Sequence, residues 1–309
     1  MPSPLVSERL TIVDSNNLLV RAIKAMERVP LSSDGIPTAG LLVFVNTLSR
    51  YVRESSPDRL MVCWDGGRSS YRLKVFDEYK GTREVHSDRD APESPFALAK
   101  EFLSLAGIHH AEVAGVEGDD LVAAYWRLWK PRPVVVVSGD KDFFQLLDDN
   151  TIQVRPGAAS DVWTRQRVVT ERKCEPQHLR YVMALTGDKT DGVPGAPGIG
   201  PVTAVKLLSQ YEWNLEALLT SDEAKVAGYQ DVVRRSLALV DLVESLAGIE
   251  VVEPPLFLPT DHDSVLFSSL IEFLERYKLA SVKERLVSGT LWRSEWVSSE
   301  DTSATVVER

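Results

Sequence analysis

Four consecutive valines, Val134-Val135-Val136-Val137, constrain the fold of this chain more than any other stretch. Continuous β-branched residues suit a strand buried on both faces, and such strands belong to parallel sheets covered by helices. The run leads straight into Ser138-Gly139-Asp140-Lys141-Asp142 and a short helical stretch over residues 143–147. Two more apolar strands end in the same way. Leu10-Thr11-Ile12-Val13 meets Asp14, and Arg59-Leu60-Met61-Val62-Cys63-Trp64 meets Asp65, with Gly66-Gly67 making the turn. Helical periodicity follows over residues 16–28 and 39–52. A short strand over 109–113 precedes Val116-Glu117-Gly118-Asp119-Asp120 and an apolar helix. Sites in parallel α/β folds form at the carboxyl ends of strands. Acids that recur there count for more than acids on a surface.

Each acid also has a plainer reading. Asp142 could be only a helix N-cap, whereas Asp140 has no such role. Glu117 and Asp120 share one face of a first helical turn, where acids also simply suit the helix dipole. Asp188 and Asp191 stand in Gly187-Asp188-Lys189-Thr190-Asp191-Gly192-Val193-Pro194-Gly195, which reads equally as a Gly/Pro-rich loop with solvated acids. That loop continues through Gly198-Ile199-Gly200 into an apolar helix, whose start offers unpaired N–H groups and a positive dipole end to a phosphate.

The acids number nine: Asp14, Asp65, Glu117, Asp119, Asp120, Asp140, Asp142, Asp188 and Asp191. If they converge, they cannot all stay ionised without cations. Oxygen ligands without His or Cys select Mg²⁺ or Mn²⁺. Two such ions about 4 Å apart activate a water and stabilise the leaving oxygen of a phosphodiester. Rival chemistries lack support. There is no G-x-S-x-G and no G-x-x-x-x-G-K-[ST], and Gly198-Ile199-Gly200 lacks the third glycine and preceding strand of a dinucleotide fingerprint. The net charge of −10 argues at first against a nucleic-acid partner. Setting aside the nine acids leaves −1, so binding would rest on local basic patches.

One such patch spans residues 68–89. It holds Arg68, Arg72, Lys74, Lys80, Arg83 and Arg89, with Tyr71, Phe76 and Tyr79 interleaved. Cations for phosphates and rings for bases suit single-stranded nucleic acid, although the acids among them fit a mixed surface loop. Low apolar content and interruptions at Gly81, Ser87, Pro92 and Pro95 predict mobility. Cys63 and Cys174 make no disulfide framework, and Cys63 reads as a small core residue. With no signal peptide and no apolar run near ~20 residues, the expected location is cytoplasmic, with no membrane partner.

At this point the chain resembles a known family. Asp14 at its strand end, Trp64-Asp65-Gly66, Tyr79-Lys80-Gly81-Thr82-Arg83, Val116-Glu117-Gly118-Asp119-Asp120, Ser138-Gly139-Asp140-Lys141-Asp142 and the 187–195 loop resemble, in order, the motifs of the structure-specific 5′ nucleases. That family comprises flap endonucleases and 5′→3′ exonucleases of phages and the N-terminal nuclease domain of bacterial DNA polymerase I. Each motif alone is modest; six in sequence, across residues 10–280, are specific.

The resemblance implies an α/β fold. Its mixed, mainly parallel central sheet is flanked by helices and carries a helical arch and a helix–three-turn–helix module. It places the nine acids in a two-metal site, with Asp188 and Asp191 on the outer side, and some acting through water. Tyr79, Lys80 and Arg83 match the base of the arch, and Arg21 a basic residue near the scissile phosphate. Gly198, Ile199, Gly200, Thr203 and Lys206 fall in the turn that grips the duplex backbone, where the family often binds K⁺. Arg72 is expected among the DNA contacts. Gly118 stands where the family usually has Ala, and Gly192 where it often has Asn.

The expected enzyme is thus a Mg²⁺-dependent nuclease (two ions, Mn²⁺ an acceptable substitute) acting on DNA with a 5′ flap or 5′ end, including RNA primers in RNA–DNA hybrids. It would be a free-standing monomer, in the host cytoplasm if phage-encoded, with replication proteins as conceivable partners. The alternatives are a related ribonuclease and a branched-DNA binder without chemistry. Expected boundaries are 1–175 for the nuclease core including the arch at about 68–106, 176–290 for the helical region, and 291–309 for a polar tail.

Overall fold

A computed structural model describes residues 8–81, 91–157, 159, 161–244, 249–258 and 264–292. The chain runs β1 (Leu10–Asp14), α1 (Ser15–Met26), a small hairpin β2 (Ser32–Ser33) and β3 (Ile36–Pro37), α2 (Ala39–Ser55), β4 (Arg59–Trp64) and α3 (Ser70–Val75). It continues with α4 (Pro95–Leu105), β5 (His110–Glu112), α5 (Gly118–Trp129), β6 (Val134–Val137), a 3-10 turn (Asp142–Leu146), β7 (Thr151–Arg155) and β8 (Asp161–Trp163). The rest of the described chain is helical: α6 (Arg165–Arg172), α7 (Leu179–Thr186), α8 (Pro201–Gln210), α9 (Leu215–Leu219), α10 (Gln230–Val240), α11 (Val265–Arg276) and α12 (Ala280–Val287).

The four valines lie inside a six-stranded sheet of order β5-β4-β1-β6-β7-β8. All neighbours are parallel except β7 and β8. Leu10 sits between Arg59 and Val134, so β1, β4 and β6 end side by side and bring their following acids to one edge. Helices cover both faces, which is why the central strands show no polar alternation. Leu10, Ile12, Val134 and Val136 pack with Leu121, Tyr125 and Trp129 of α5. Val13, Val62, Val135 and Val137 pack with Leu19, Phe44, Leu48 and Phe102 on the other side. Cys63 is fully buried and both cysteines are free thiols, as small core residues should be.

A second core joins α6–α10. Leu185, Leu208, Leu218 and Val233 meet there with Phe144 and Trp163, whose rings stack at 4.0 Å. Helices α11 and α12 do not belong to it, contrary to the 176–290 boundary read from the sequence. Phe273, Leu274, Tyr277 and Val282 return to the first core, with Trp292, and cover α2 and α4. Their apolar stripe matches that face; the proline-interrupted stretch before them hid the return. Residues 82–90, the middle of the expected arch, lie outside the described residues, as does the polar tail beyond 292.

Candidate active site

The edge of the sheet holds its acids by specific local bonds. Asp14 ends β1 and caps α1: its carboxylate accepts from Asn17 N at 3.1 Å and from Ser138 Oγ at 2.7 Å. Asp65 follows β4 and accepts from Asn16 Nδ2 at 2.6 Å and from Gly118 N at 2.7 Å. A Cβ at residue 118 would stand 3.0 Å from that carboxylate, so glycine there leaves room for Asp65. Beyond β6, Asp140 accepts from Asp142 N at 2.9 Å. This reverses the roles read from sequence: Asp140 makes the local turn, and Asp142 caps nothing with its side chain. The reason is that the helix after β6 begins one residue earlier than a cap at Asp142 requires, as a 3-10 turn with Lys141 at its cap. Ser138, Asn16 and Asn17 were not nominated from sequence. The signal that marks them is a polar side chain lodged between a buried strand and its helix, beside each acid.

Opposite these acids stand two buried cations. Arg72 of α3 is 2% exposed and donates to both oxygens of Asp120, at 2.7 and 2.9 Å, to Glu117 Oε2 at 2.5 Å and to the Leu239 carbonyl at 2.7 Å. Four of its five guanidinium N–H groups are spent inside the protein. The expectation that Arg72 grips DNA is therefore corrected, because α3 turns inward where a surface loop was read. Asp120, 1% exposed, is held in this fork as an ion-pair partner, each of its oxygens accepting one N–H of Arg72. Lys80 binds Glu117 Oε1 at 2.8 Å and lies 3.7 Å from Asp191 Oδ2. Tyr79 donates to Glu117 Oε2 at 3.2 Å, and Lys80 Nζ lies 5.1 Å from the Tyr79 ring centre. Lys80 has φ +52°, a left-handed conformation that side chains avoid, and its N–H is anchored on the Asp191 carbonyl at 3.0 Å. Arg83 lies outside the described residues.

Asp188 and Asp191 arrive from the loop after α7. Gly187 N bonds to Met183 O, Asp188 and Val193 pair back to back at 2.9 and 2.7 Å, and Asp188 Oδ1 accepts from Thr190 N at 2.7 Å. Asp119, Asp142, Asp188 and Asp191 then line a cavity of about 20 Å³, together with Arg72 and Tyr79. That is room for one water-sized occupant.

Electrostatics records the crowding. Burial first, then neighbouring carboxylates, push Asp14 and Asp142 up to about 7. Burial, then Asp140 and Asp14, push Asp119 up as well. Burial alone would lower Lys80, but Asp119 and Glu117 outweigh it and hold the ammonium charged. Surplus negative charge facing a small cavity, with oxygen the only donor, fits a hard divalent cation. Among the described residues, no three such side chains are yet drawn together closely enough to ligate one ion. Like charges with no ion between them keep apart, and Lys80 and Arg72 take up part of the excess.

Arg21 is exposed; it donates to the Pro156 carbonyl at 2.9 Å, and its guanidinium lies beside Gly139. The turn at Gly198-Ile199-Gly200 leads directly into α8. Gly198 has φ +75°, and no side chain caps α8, which begins at Pro201. Thr203 is half-buried and Lys206 exposed, while Ile199 buries its side chain at 5% exposure and presents only backbone.

Fold and site together define an α/β protein with a charge-compensated acidic cleft at the carboxyl edge of its sheet. A family model described as 5′-3′ exonuclease, N-terminal resolvase-like domain, matches residues 9–175, and one described as 5′-3′ exonuclease, C-terminal SAM fold, matches 174–261. The chain belongs to the 5′-3′ exonuclease family. It is 34% identical over 205 residues to a 5′-3′ exonuclease of Aquifex aeolicus, covering 65% of this chain and 69% of that one. With a 5′-3′ exonuclease of Bacillus subtilis it shares 30% over 291 residues, covering 91% and 96%. It spans only 28% of the DNA polymerase I of Bacillus caldotenax, at 29% identity over 79% of this chain. In structure it is similar to the 5′-exonuclease of phage T5 with bound zinc, at TM-score 0.64 and 21% identity over 86% and 98% of the two chains. The T5 flap endonuclease in complex with DNA and metal ions is similar at TM-score 0.63 and 21% identity, over 87% and 98%. Among the described residues, no helix is long and apolar enough to cross a membrane.

Proposed function

We propose that this protein is a Mg²⁺-dependent 5′→3′ exonuclease and flap endonuclease. It hydrolyses phosphodiesters at 5′ ends and 5′ flaps of branched duplex DNA, RNA primers included, in replication and repair. One observation carries the reading: four carboxylates from three separate segments line a cavity the size of one water, and a buried lysine lies 3.7 Å from one of them. Relatives that belong to nuclease families, one of them in complex with DNA and metal ions, support it.

Asp14, Asp65, Asp119, Asp140, Asp142, Asp188 and Asp191 are the acids that would hold two divalent ions, with Glu117 reaching them across Lys80. Bound there, the ions would supply an activated water and neutralise charge on the leaving oxygen. The chain's own residues do the remaining work. Ser138, Asn16 and Asn17 fix the acids' directions through the bonds described above. Lys80, kept charged, stands ready to meet a phosphate oxygen at the edge of the cavity. Arg21, with Arg83, would hold the phosphate and the 5′ strand on either side. The turn at Gly198, Ile199 and Gly200, with Thr203 and Lys206, would act as the helix–three-turn–helix grip on the duplex, through backbone groups and K⁺. Such contacts position DNA and read no sequence. We further propose that the protein acts as a monomer in the cytoplasm.

The test is cleavage of a 5′-labelled flap duplex with Mg²⁺, against EDTA and against Asp140→Asn. The expected result is release of the flap near its junction, lost in both controls. Tight flap binding by the wild type without cleavage in Mg²⁺ or Mn²⁺ would overturn the catalytic reading.

A further inference from the structure

A second opening lies beside the acidic cleft and shares only Asp142 with the reading above. It is a groove of about 340 Å³ between the 3-10 turn after β6, the end of α6, and the facing sides of α7 and α8. Asp142 forms its inner end, so it adjoins the cavity of the acids. Its floor is apolar: Leu179, Val182 and Met183 from α7, with Val202 and Val205 from α8. Val202 is 86% exposed, a large apolar side chain left in water at the first turn of a helix.

The rim is cationic. Lys141, Arg172 and Lys173 all line the groove and all are exposed. Their neighbours show how unusual their state is. Arg165 pairs with Asp149 and Glu175, and Arg167 with Asp161 and Glu171. Glu171 also lines the groove, but Arg167 at 2.7 Å answers its charge. Among the described residues, Lys141, Arg172 and Lys173 have no carboxylate partner, and Arg172 rests only 5.7 Å from the Phe144 and Trp163 ring centres. Three unpaired cations over an apolar floor ask for a ligand with an anionic group and a flat apolar body. The volume is at the lower end of small-molecule sites and takes one nucleotide unit.

We infer that this groove binds a deoxynucleoside monophosphate, with its phosphate toward Lys141, Arg172 and Lys173 and its base on Met183 and Val202. The choice of a nucleotide rests on the nuclease reading. A 5′→3′ exonuclease releases such monophosphates, so the site would retain product beside the cleft.

Binding is measured on the full chain in EDTA, without DNA, by calorimetry and by quenching of tryptophan fluorescence with dAMP, inorganic phosphate and deoxyadenosine as probes. This keeps it separate from cleavage: the flap assay can fail while dAMP binds, and the reverse. The expected result is that dAMP binds at least about tenfold more tightly than either fragment, because phosphate and base contribute together. Val202→Asp places an anion over the floor at an exposed helix start that favours acids, and Arg172→Gln removes one rim cation. Each should weaken dAMP by about tenfold or more with the melting temperature unchanged. Equal affinity for phosphate alone, no measurable dAMP binding, or dAMP binding unmoved by both substitutions would each overturn the inference.

Discussion

At the scale of single residues, the cleft is a balance of charge. Arg72 shows what one member is worth. Its loss leaves Asp120 and Glu117 buried with less compensation, and breaking such a pair costs about 3–5 kcal/mol. Arg72→Ala should therefore lower the unfolding free energy from urea titration by that margin, whereas a DNA-contact role would have left stability alone. Asp14 and Asp142 give a pH dependence of definite sign. Both rise from an ordinary 3.8 to about 7, so the folded protein binds protons that the unfolded chain has released. Their contribution to stability is complete below about pH 4 and is lost as pH rises through 7. Without divalent ions, thermal melts should fall in temperature across that window. Added Mg²⁺ should reverse the fall and release protons into a weakly buffered solution at neutral pH. A flat profile in EDTA would mean that the carboxylates are not crowded.

At the scale of elements, turns decide where the acids point. A Cβ at residue 66 would stand 1.9 Å from the Val113 carbonyl, because the turn after β4 lies directly on the β5–α5 connection. Gly66→Ala should cost more than about 3 kcal/mol by denaturant titration. Gly198→Ala meets nothing within 4 Å, so only its φ of +75° is penalised, by about 1–2 kcal/mol. Its larger effect should fall on duplex affinity. Lys206→Ala should leave stability unchanged and reduce the salt slope of DNA binding by about 1. The strands and the acids at their ends were legible because buried parallel strands announce themselves by composition, as at Val134–Val137, and because Asp14, Asp65 and Asp140 stand at or just after one. The helix at Ser70–Val75 was not legible. Six residues amid charges carry no periodicity, and only Arg72 meeting Asp120 reveals which way it faces. The reversal of Asp140 and Asp142 was hidden for a related reason, since a cap and a turn use the same residue types.

At the scale of the whole molecule, two cores share one site. Asp14, Asp65, Asp119, Asp140 and Asp142 come from the sheet edge and the segments that follow its strands, while Asp188 and Asp191 come from the loop after α7, in the helical core. The contact of Lys80 N with Asp191 O ties the two together at the cleft itself. The return of α11 and α12 to the first core is a further dependence. A chain ending at residue 258 keeps every acid but uncovers Phe102 and the outer faces of α2 and α4. It should melt well below the full chain; an unchanged melting temperature would show that the return is ornamental. The same packing has a meaning for synthesis. A ribosome makes residues 270–292 long after the last acid of the sheet, on the order of ten seconds later at ordinary elongation rates. Until that segment emerges, the nascent chain carries the acids of the sheet edge on a scaffold whose α2 and α4 are still uncovered.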